Sequence, residues 1–277
     1  MDIIQAVILG LIQGLAEFLP ISSSGHLALA QAAMEIPEDF RLFMTVLFHG
    51  GTLAAVLAVF WRDWWEMLKH PLKSRVLWLL VLATLPAAAL GVLLSDRIDE
   101  MFAATWLVGI FFLGTAALLL IAERFARNPV PIGRHARKPC VNDVRAGQAL
   151  AMGVMQGVAL FPGLSRSGST IVGGMLSGLN RATATKFSFM MSAPIIVGSL
   201  IFEIRDLFRA EGGIASALPG GWLAPLAGVL VAAVSGYFAI RWMLRLVQRV
   251  SLGWFALYTG VLGALVLLDH FVFHVLV

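Results

Sequence analysis

Uncharged apolar stretches recur along the chain, and six of them approach or exceed the width of a bilayer. A membrane-spanning helix needs about 20 consecutive apolar residues. Stretches without Asp, Glu, Lys or Arg predict six spans, at residues 42–61, 76–95, 101–122, 187–202, 222–240 and 250–268. All eight tryptophans lie near the ends of these stretches, which is typical of aromatic rings at the lipid headgroups.

Two further apolar regions, residues 3–34 and 146–180, are interrupted by Gly, Pro, Ser and one charged residue each. Non-helical backbone at membrane depth is tolerated only where it is buried in protein or lines a cavity. We therefore expect each region to form a re-entrant hairpin. In each hairpin a Pro stops the first helix and a Ser caps the second helix.

The two interrupted regions resemble each other, because Gln13–Gly25 aligns with Gln156–Gly168 at an offset of 143 residues without a gap. Each half of the chain then holds one hairpin followed by three spans, and an odd number of crossings inverts the second half. The predicted fold is an all-α polytopic membrane protein with six transmembrane helices and two re-entrant helical hairpins in an inverted-topology repeat. The hairpins should enter from opposite faces and meet.

Composition points to a polytopic membrane protein and argues against a soluble enzyme. Hydrophobic residues make up 59% of the 277 residues and charged residues only 13%, against about 45–50% and about 25% in soluble domains. The pI near 9.7 accompanies a net charge of only +4, so it indicates basic cytoplasmic loops rather than nucleic-acid binding. The single cysteine excludes an intrachain disulfide.

The basic residues predict the orientation of the chain in the membrane. With the N-terminus outside, 15 of the 20 Lys and Arg residues fall on the cytoplasmic side and four fall outside. Both termini are then outside the bacterial cytoplasmic (inner) membrane. We interpret residues 1–277 as one membrane domain, with a first repeat at 1–122, a polar cytoplasmic linker at 123–145 and a second repeat at 146–277.

The loops of the two hairpins carry the candidate chemistry. Each loop presents the N-terminus of a helix, which is a ready site for phosphate or carboxylate. Placing the charge of Arg166 inside a membrane costs free energy, which indicates a functional role. Its planar guanidinium group is suited to bidentate contact with phosphate. Glu17 suits either a divalent cation or a proton acceptor, and His26 suits a nucleophile or a general acid.

Each of these residues also has a structural interpretation. Arg166 could reach a headgroup or pair with Glu17, and Glu17 could bond to backbone. His26 could be structural, but it shares one motif with other polar residues. For His49, which precedes Gly50 and Gly51, packing and chemistry are equally well supported by the sequence.

At this point the chain resembles the undecaprenyl-diphosphate phosphatases associated with bacitracin resistance. The resemblance rests on two motifs, Gln13–His26 and Pro162–Thr170, and covers essentially the whole chain. It implies that Arg166, Ser165, Ser167 and Thr170 bind phosphoryl oxygens, together with Ser22, Ser24 and Gly163, and that Glu17, Ser23, His26 and Arg166 form the catalytic group. Gln13 stands where the family has Glu or Gln. A cation site formed by Glu17 and Gln13 therefore has one carboxylate in this chain, whereas family members with Glu at that position have two.

The resemblance implies that the protein hydrolyses undecaprenyl diphosphate to undecaprenyl phosphate and inorganic phosphate, for reuse in peptidoglycan synthesis. The attacking group stays open between His26, Ser23 and a water activated by His26, and the expected cofactor is Mg²⁺ or Ca²⁺. The alternative from the fold alone is a secondary transporter or a flippase for an anionic lipid, because such proteins also use inverted repeats and broken helices. A third alternative, a structural membrane scaffold, does not explain why Glu17, His26 and Arg166 occur in apolar surroundings. A homodimer also stays open.

Overall fold

The computed structural model describes residues 1–94, 101, 104–125, 140–209 and 221–274. Every regular element within these ranges is helical, which confirms the predicted all-α class. The α-helices, numbered in chain order, are α1 Ile3–Ala16, α2 Ser23–Ala33, α3 Glu38–Val59, α4 Trp61–Lys69, α5 Arg75–Leu93, α6 Thr105–Phe125, α7 Ala146–Val158, α8 Arg166–Leu176, α9 Arg181–Arg209, α10 Leu223–Leu246 and α11 Gly253–Leu268.

Five helices are long and apolar enough to cross a membrane: α5, α6, α9, α10, and α11 together with the π-helical turn that continues it to Phe273. The sixth candidate is the pair α3 and α4, which bends by 78° at Phe60. The predicted span at 42–61 corresponds to α3, and the chain turns sharply where that span was expected to end. The protein is therefore a multi-pass helical membrane protein.

The fourth span begins earlier than its apolar stretch at 187–202 indicates, because the charges in the first turns of α9 have partners. Arg181 forms an ion pair with Glu123 at the end of α6. One turn further along, Lys186 Nζ lies 2.7 Å from Asp63 Oδ1 of α4. Both cations are thereby neutralised within the helical bundle, and the helix extends through them.

The other helices follow the predicted spans closely, with small differences at their ends. α6 is displaced by about one turn from the predicted span at 101–122, so its last residues occupy the start of the predicted linker at 123–145. Residues 126–139 of that linker lie outside the described residues. Helices α5, α10 and α11 correspond to the spans at 76–95, 222–240 and 250–268.

The two interrupted regions each form a helix, a loop and a second helix. Helices α1 and α7 begin at Ile3 and Ala146, and helices α2 and α8 begin at Ser23 and Arg166. Both pairs of starting points are separated by the same 143 residues as the repeated motif. The offset read from the sequence thus coincides with the positions at which the described helices begin.

Small residues allow the first helix of each hairpin to pack directly on a span. Helix α1 packs along α10, and helix α7 packs along α5. A Cβ atom added to Gly10 would lie 2.2 Å from the carbonyl oxygen of Gly228, and one added to Gly153 would lie 2.4 Å from that of Ala83. Such close backbone approach is typical of helix packing in membranes, and it holds the loops at the ends of α1 and α7 in fixed positions.

Candidate active site

The first loop places a carboxylate at the end of α1. Glu17 is the C-cap of this helix and is only 5% exposed. Its Oε2 atom accepts hydrogen bonds from Gln13 Nε2 at 3.1 Å and from Ser23 Oγ at 2.5 Å. Because Gln13 lies one turn before Glu17 and Ser23 begins α2, the carboxylate joins both helices of the first hairpin.

Arg166 brings the second loop to the same point. It is the first residue of α8, and its guanidinium forms an ion pair with Glu17 Oε1. A second bond joins the loops, because Ser167 Oγ donates to the carbonyl oxygen of Leu19 at 2.8 Å. The predicted meeting of the two broken segments is therefore confirmed.

Each of the two second helices is capped by a serine, as predicted, and the capping residues are Ser22 and Ser165. Ser22 Oγ accepts the backbone N–H of Gly25 at 3.3 Å, and Ser165 Oγ accepts that of Gly168 at 3.0 Å. The hydroxyls of Ser22 and Ser24 share a hydrogen bond of 3.2 Å, as do those of Ser165 and Ser167. Both loops therefore present a helix N-terminus surrounded by hydroxyl groups, which favours an anion.

Two positions in the loops have backbone conformations that L-residues rarely adopt. Gly163 has φ +97°, and a Cβ atom there would lie 2.6 Å from the carbonyl oxygen of Val108. Ser22 has φ 70° although it carries a side chain. Such strain persists only where the surroundings enforce it and is concentrated at functional sites.

Two residues outside the predicted motifs hold the second hairpin in place. Thr115 of α6 is buried, and its hydroxyl donates to Gly163 O at 3.0 Å and accepts the N–H of Ser165 at 2.9 Å. The hydroxyl of Thr170 lies 2.6 Å from that of Ser188 in α9, and it also donates to carbonyls of its own helix. Thr170 is therefore already engaged within the protein.

His26 lies in the first turns of α2 but is directed toward other elements. Its Nδ1 atom lies 2.7 Å from the carbonyl oxygen of Ser22, and its Nε2 atom lies 2.7 Å from the hydroxyl of Tyr258 in α11. Within the part of the chain that the structure describes, its ring nitrogens bond to Ser22 and Tyr258, and no bond joins them to Glu17 or Arg166. The structure thus places His26 beside the ion pair's loop but outside the ion pair itself.

The sequence left the role of His49 open, and the structure places this residue at the site. His49 Nε2 lies 3.5 Å from Glu17 Oε2, and its Nδ1 atom bonds to the carbonyl oxygen of Thr45 at 2.7 Å. The sequence does contain an indication of this position, because ionisable residues within membrane spans usually face the protein interior, and His49 lies in the apolar stretch of α3. No local motif connects it to the first loop.

The donor set around Glu17 fits a divalent cation that is shared with a phosphate substrate. Gln13 Oε1 is buried and has no hydrogen-bond partner, and the amide nitrogen of the same side chain donates to Glu17. Mg²⁺ is commonly held by one or two carboxylates together with substrate phosphates. No cluster of three His, Cys, Asp or Glu side chains suited to a metal occurs among the described residues, so substrate oxygens would have to complete the coordination.

The fold and the site together define a multi-pass helical membrane protein in which two broken segments build one internal polar site. A carboxylate, a guanidinium and two helix N-termini converge there. The comparisons with known proteins agree with this class.

The chain belongs to the bacitracin resistance protein BacA family, whose family model matches residues 6–265. An undecaprenyl-diphosphatase of Methanosphaera stadtmanae is 37% identical, over 97% of this chain and 98% of its own length. An undecaprenyl-diphosphatase of Alkaliphilus metalliredigens is 36% identical over the same shares. Undecaprenyl-diphosphatase 4 of Bacillus thuringiensis is also 36% identical, over 98% of both chains.

The contacts of Thr115 predict that Thr115→Val destabilises the second loop. The substitution keeps the shape of the side chain but leaves Gly163 O and Ser165 N unpaired in a buried place, which costs about 1–3 kcal/mol for each unsatisfied group. Thermal unfolding in detergent should show a lower midpoint. The control is Thr84→Val, because Thr84 donates only to a carbonyl of its own helix. Equal midpoints for the two variants would contradict the anchoring role of Thr115.

Proposed function

We propose that this chain is an integral membrane phosphatase that hydrolyses undecaprenyl diphosphate to undecaprenyl phosphate and inorganic phosphate. The observation that carries the proposal is the meeting of Arg166, Glu17 and two serine-capped helix N-termini at one buried point. The identity of the substrate is inferred from the relatives named undecaprenyl-diphosphatase, which match nearly the full length of the chain. Reuse of the product in peptidoglycan synthesis and resistance to bacitracin fit the family.

The terminal phosphate is bound by the second hairpin. Arg166 has five N–H donors and uses one of its terminal nitrogens for Glu17, so the rest of the fork is left for phosphoryl oxygens. The N-terminus of α8, with the hydroxyls of Ser165 and Ser167, adds donors on the same side. These groups stabilise the negative charge on the phosphoryl oxygens in the transition state. Gly163 shapes the loop, and Thr170 supports it through Ser188.

The first hairpin supplies the groups that act on the attacking oxygen. A carbonyl can only accept, so the bond from His26 to Ser22 O requires the proton on Nδ1 and leaves Nε2 as an acceptor in the neutral ring. This nitrogen is suited to take the proton of an attacking water while the bond from phosphorus to the bridging oxygen breaks. Ser23 donates its own proton to Glu17, which is the arrangement of a nucleophilic hydroxyl with its base, so Ser23 is the alternative attacking group. Ser24 lines the loop beside it.

Arg166→Ala should lower phosphate release from polyprenyl diphosphate by about 10²- to 10⁴-fold, judged from the loss of comparable transition-state donors. Arg166→Lys keeps the positive charge beside Glu17 but not the fork, so it should preserve thermal stability better than activity. The measurement is phosphate release in detergent, where no membrane has to be crossed and a transporter without hydrolase activity releases none. Arg241→Ala is the control, because Arg241 bonds to Tyr237 on an exposed face. Parental rates for Arg166→Ala would refute the proposed clamp.

A divalent cation, Mg²⁺ or Ca²⁺, completes the proposed site. Glu17 would hold it together with Gln13 Oε1, once the amide of Gln13 turns its oxygen toward the carboxylate. When bound, the cation would neutralise part of the charge of the diphosphate. EDTA should therefore stop phosphate release, and added Mg²⁺ or Ca²⁺ should restore it. Gln13→Glu adds a second carboxylate and should lower the cation concentration for half-maximal release by about tenfold. Gln5→Glu, two turns earlier in α1, should leave it unchanged. Full turnover in EDTA would rule out the cation.

We place the protein in the bacterial cytoplasmic membrane with both termini outside, supported by the distribution of basic residues. The exposed Cys140, at the end of the cytoplasmic linker, is the single cysteine and gives a direct test. A membrane-impermeant maleimide should label it in inside-out vesicles and not in intact cells. In a Cys140→Ser protein carrying His274→Cys, near the C-terminus, the pattern should be reversed. Labelling of Cys140 in intact cells would overturn this orientation.

A further inference from the structure

The ring of His26 is held by three contacts, one of which comes from a residue outside both motifs. The backbone of Ser22 binds Nδ1, and the ring of Phe112 in α6 meets the imidazole edge to face at 5.3 Å. The third contact is the hydroxyl of Tyr258, 2.7 Å from Nε2. Tyr258 lies on α11, which is 232 residues further along the chain, so this contact is tertiary.

The direction of the bond between Tyr258 and His26 follows from the bond on the other side of the ring. Because Ser22 O can only accept, the neutral imidazole carries its proton on Nδ1 and has a lone pair on Nε2. The tyrosine hydroxyl must then donate to Nε2. The other tautomer would break the bond to Ser22 O, whereas the hydroxyl of Tyr258 can donate or accept. The carbonyl of Ser22 therefore selects the tautomer, and Tyr258 gives the ring a second fixed point.

The placement of Tyr258 indicates that its hydroxyl is more than an ordinary surface group. Its side chain is half exposed on the outer face of α11, and its ring lies nearly parallel to that of His26, at 10°. The hydroxyl is nevertheless turned toward the imidazole. The chain has only one other tyrosine, Tyr237 of α10, whose hydroxyl accepts from Arg241 at 2.9 Å.

We propose that Tyr258 is a positioning residue for His26. Its hydroxyl donates to the acceptor Nε2 of the tautomer that Ser22 selects, and it fixes the orientation of the ring. The hydroxyl oxygen occupies the lone-pair side of Nε2, so the half-exposed side chain of Tyr258 has to rotate aside before Nε2 takes the proton of an attacking water, while the imidazole ring stays in place. No bond to Tyr258 forms or breaks in the reaction. The inference rests on the proposed function, because it assigns His26 the role of base.

The kinetic test is Tyr258→Phe, which removes the hydroxyl and keeps the ring. Loss of one neutral hydrogen bond corresponds to a fall in kcat between about twofold and tenfold. KM should stay within about twofold, because Tyr258 is not assigned a contact with substrate. Tyr237→Phe should leave kcat and KM at parental values. A parental kcat in Tyr258→Phe, an equal loss in Tyr237→Phe, or a change confined to KM would overturn the proposal.

A second readout does not depend on turnover. Long-range ¹H–¹⁵N correlation spectra of histidine-labelled protein in detergent report which ring nitrogen carries the proton, and the signals of His26 are assigned by their loss in His26→Asn. The parental protein should show a protonated Nδ1 and a hydrogen-bonded, unprotonated Nε2. Tyr258→Phe should shift the Nε2 signal, whereas Tyr237→Phe should not. An Nε2-protonated ring in the parent, or identical spectra for both variants, would overturn the positioning role.

The two readouts separate this inference from the proposed function. A parental protein that releases no phosphate, but whose His26 signals change with Tyr258→Phe, would refute the phosphatase assignment and retain the positioning of His26 by Tyr258. A parental protein that releases phosphate, with unchanged spectra and kcat in Tyr258→Phe, would retain the function and refute the inference.

Discussion

A buried ion pair between Glu17 and Arg166 connects the two broken segments, and the polar site depends on it. Breaking a buried pair by removing one partner typically costs about 3–5 kcal/mol, because the other charge stays behind without compensation. In this protein the two charges come from different halves of the chain. Glu17 lies at the C-terminal end of α1, and Arg166 is the first residue of α8. Each loop therefore neutralises the charge of the other, and neither would be stable in its place alone.

The same mutual dependence holds for the backbone of the loops. Irregular backbone inside a membrane needs partners for its N–H and C=O groups. Ser167 binds the carbonyl of Leu19 across the two loops, and Thr115 binds two backbone groups of the second loop from a neighbouring span. Serine caps use the first N–H groups of α2 and α8 only in part, so the remaining donors are available for a diphosphate. The polar site thus consists largely of hydrogen-bond donors that the fold itself leaves without a partner.

The features that follow from local composition could be predicted from the sequence, and those that depend on tertiary contacts could not. Apolar length predicts the spans, and Pro, Gly and Ser predict the breaks and caps, because these are properties of neighbouring residues. The start of α9 at Arg181 was missed, because its charge is paired with Glu123 of another helix. Thr115, His49 and Tyr258 lie within spans, where a single polar residue has no motif around it. Their partners become visible only when the helices are packed together.

The polar site lies where the two loops meet, and a crosslink between the loops tests this placement. A Cβ atom on Gly168 would lie 3.3 Å from Cβ of Pro20, close to the separation of about 3.5–4.5 Å in a disulfide. The most direct test is therefore oxidation of a Pro20→Cys, Gly168→Cys protein in which Cys140 is replaced by Ser, with phosphate release measured before and after. We expect an intramolecular crosslink that stops phosphate release, and recovery of release with a reductant. Absence of the crosslink, or full release by the crosslinked protein, would contradict this placement.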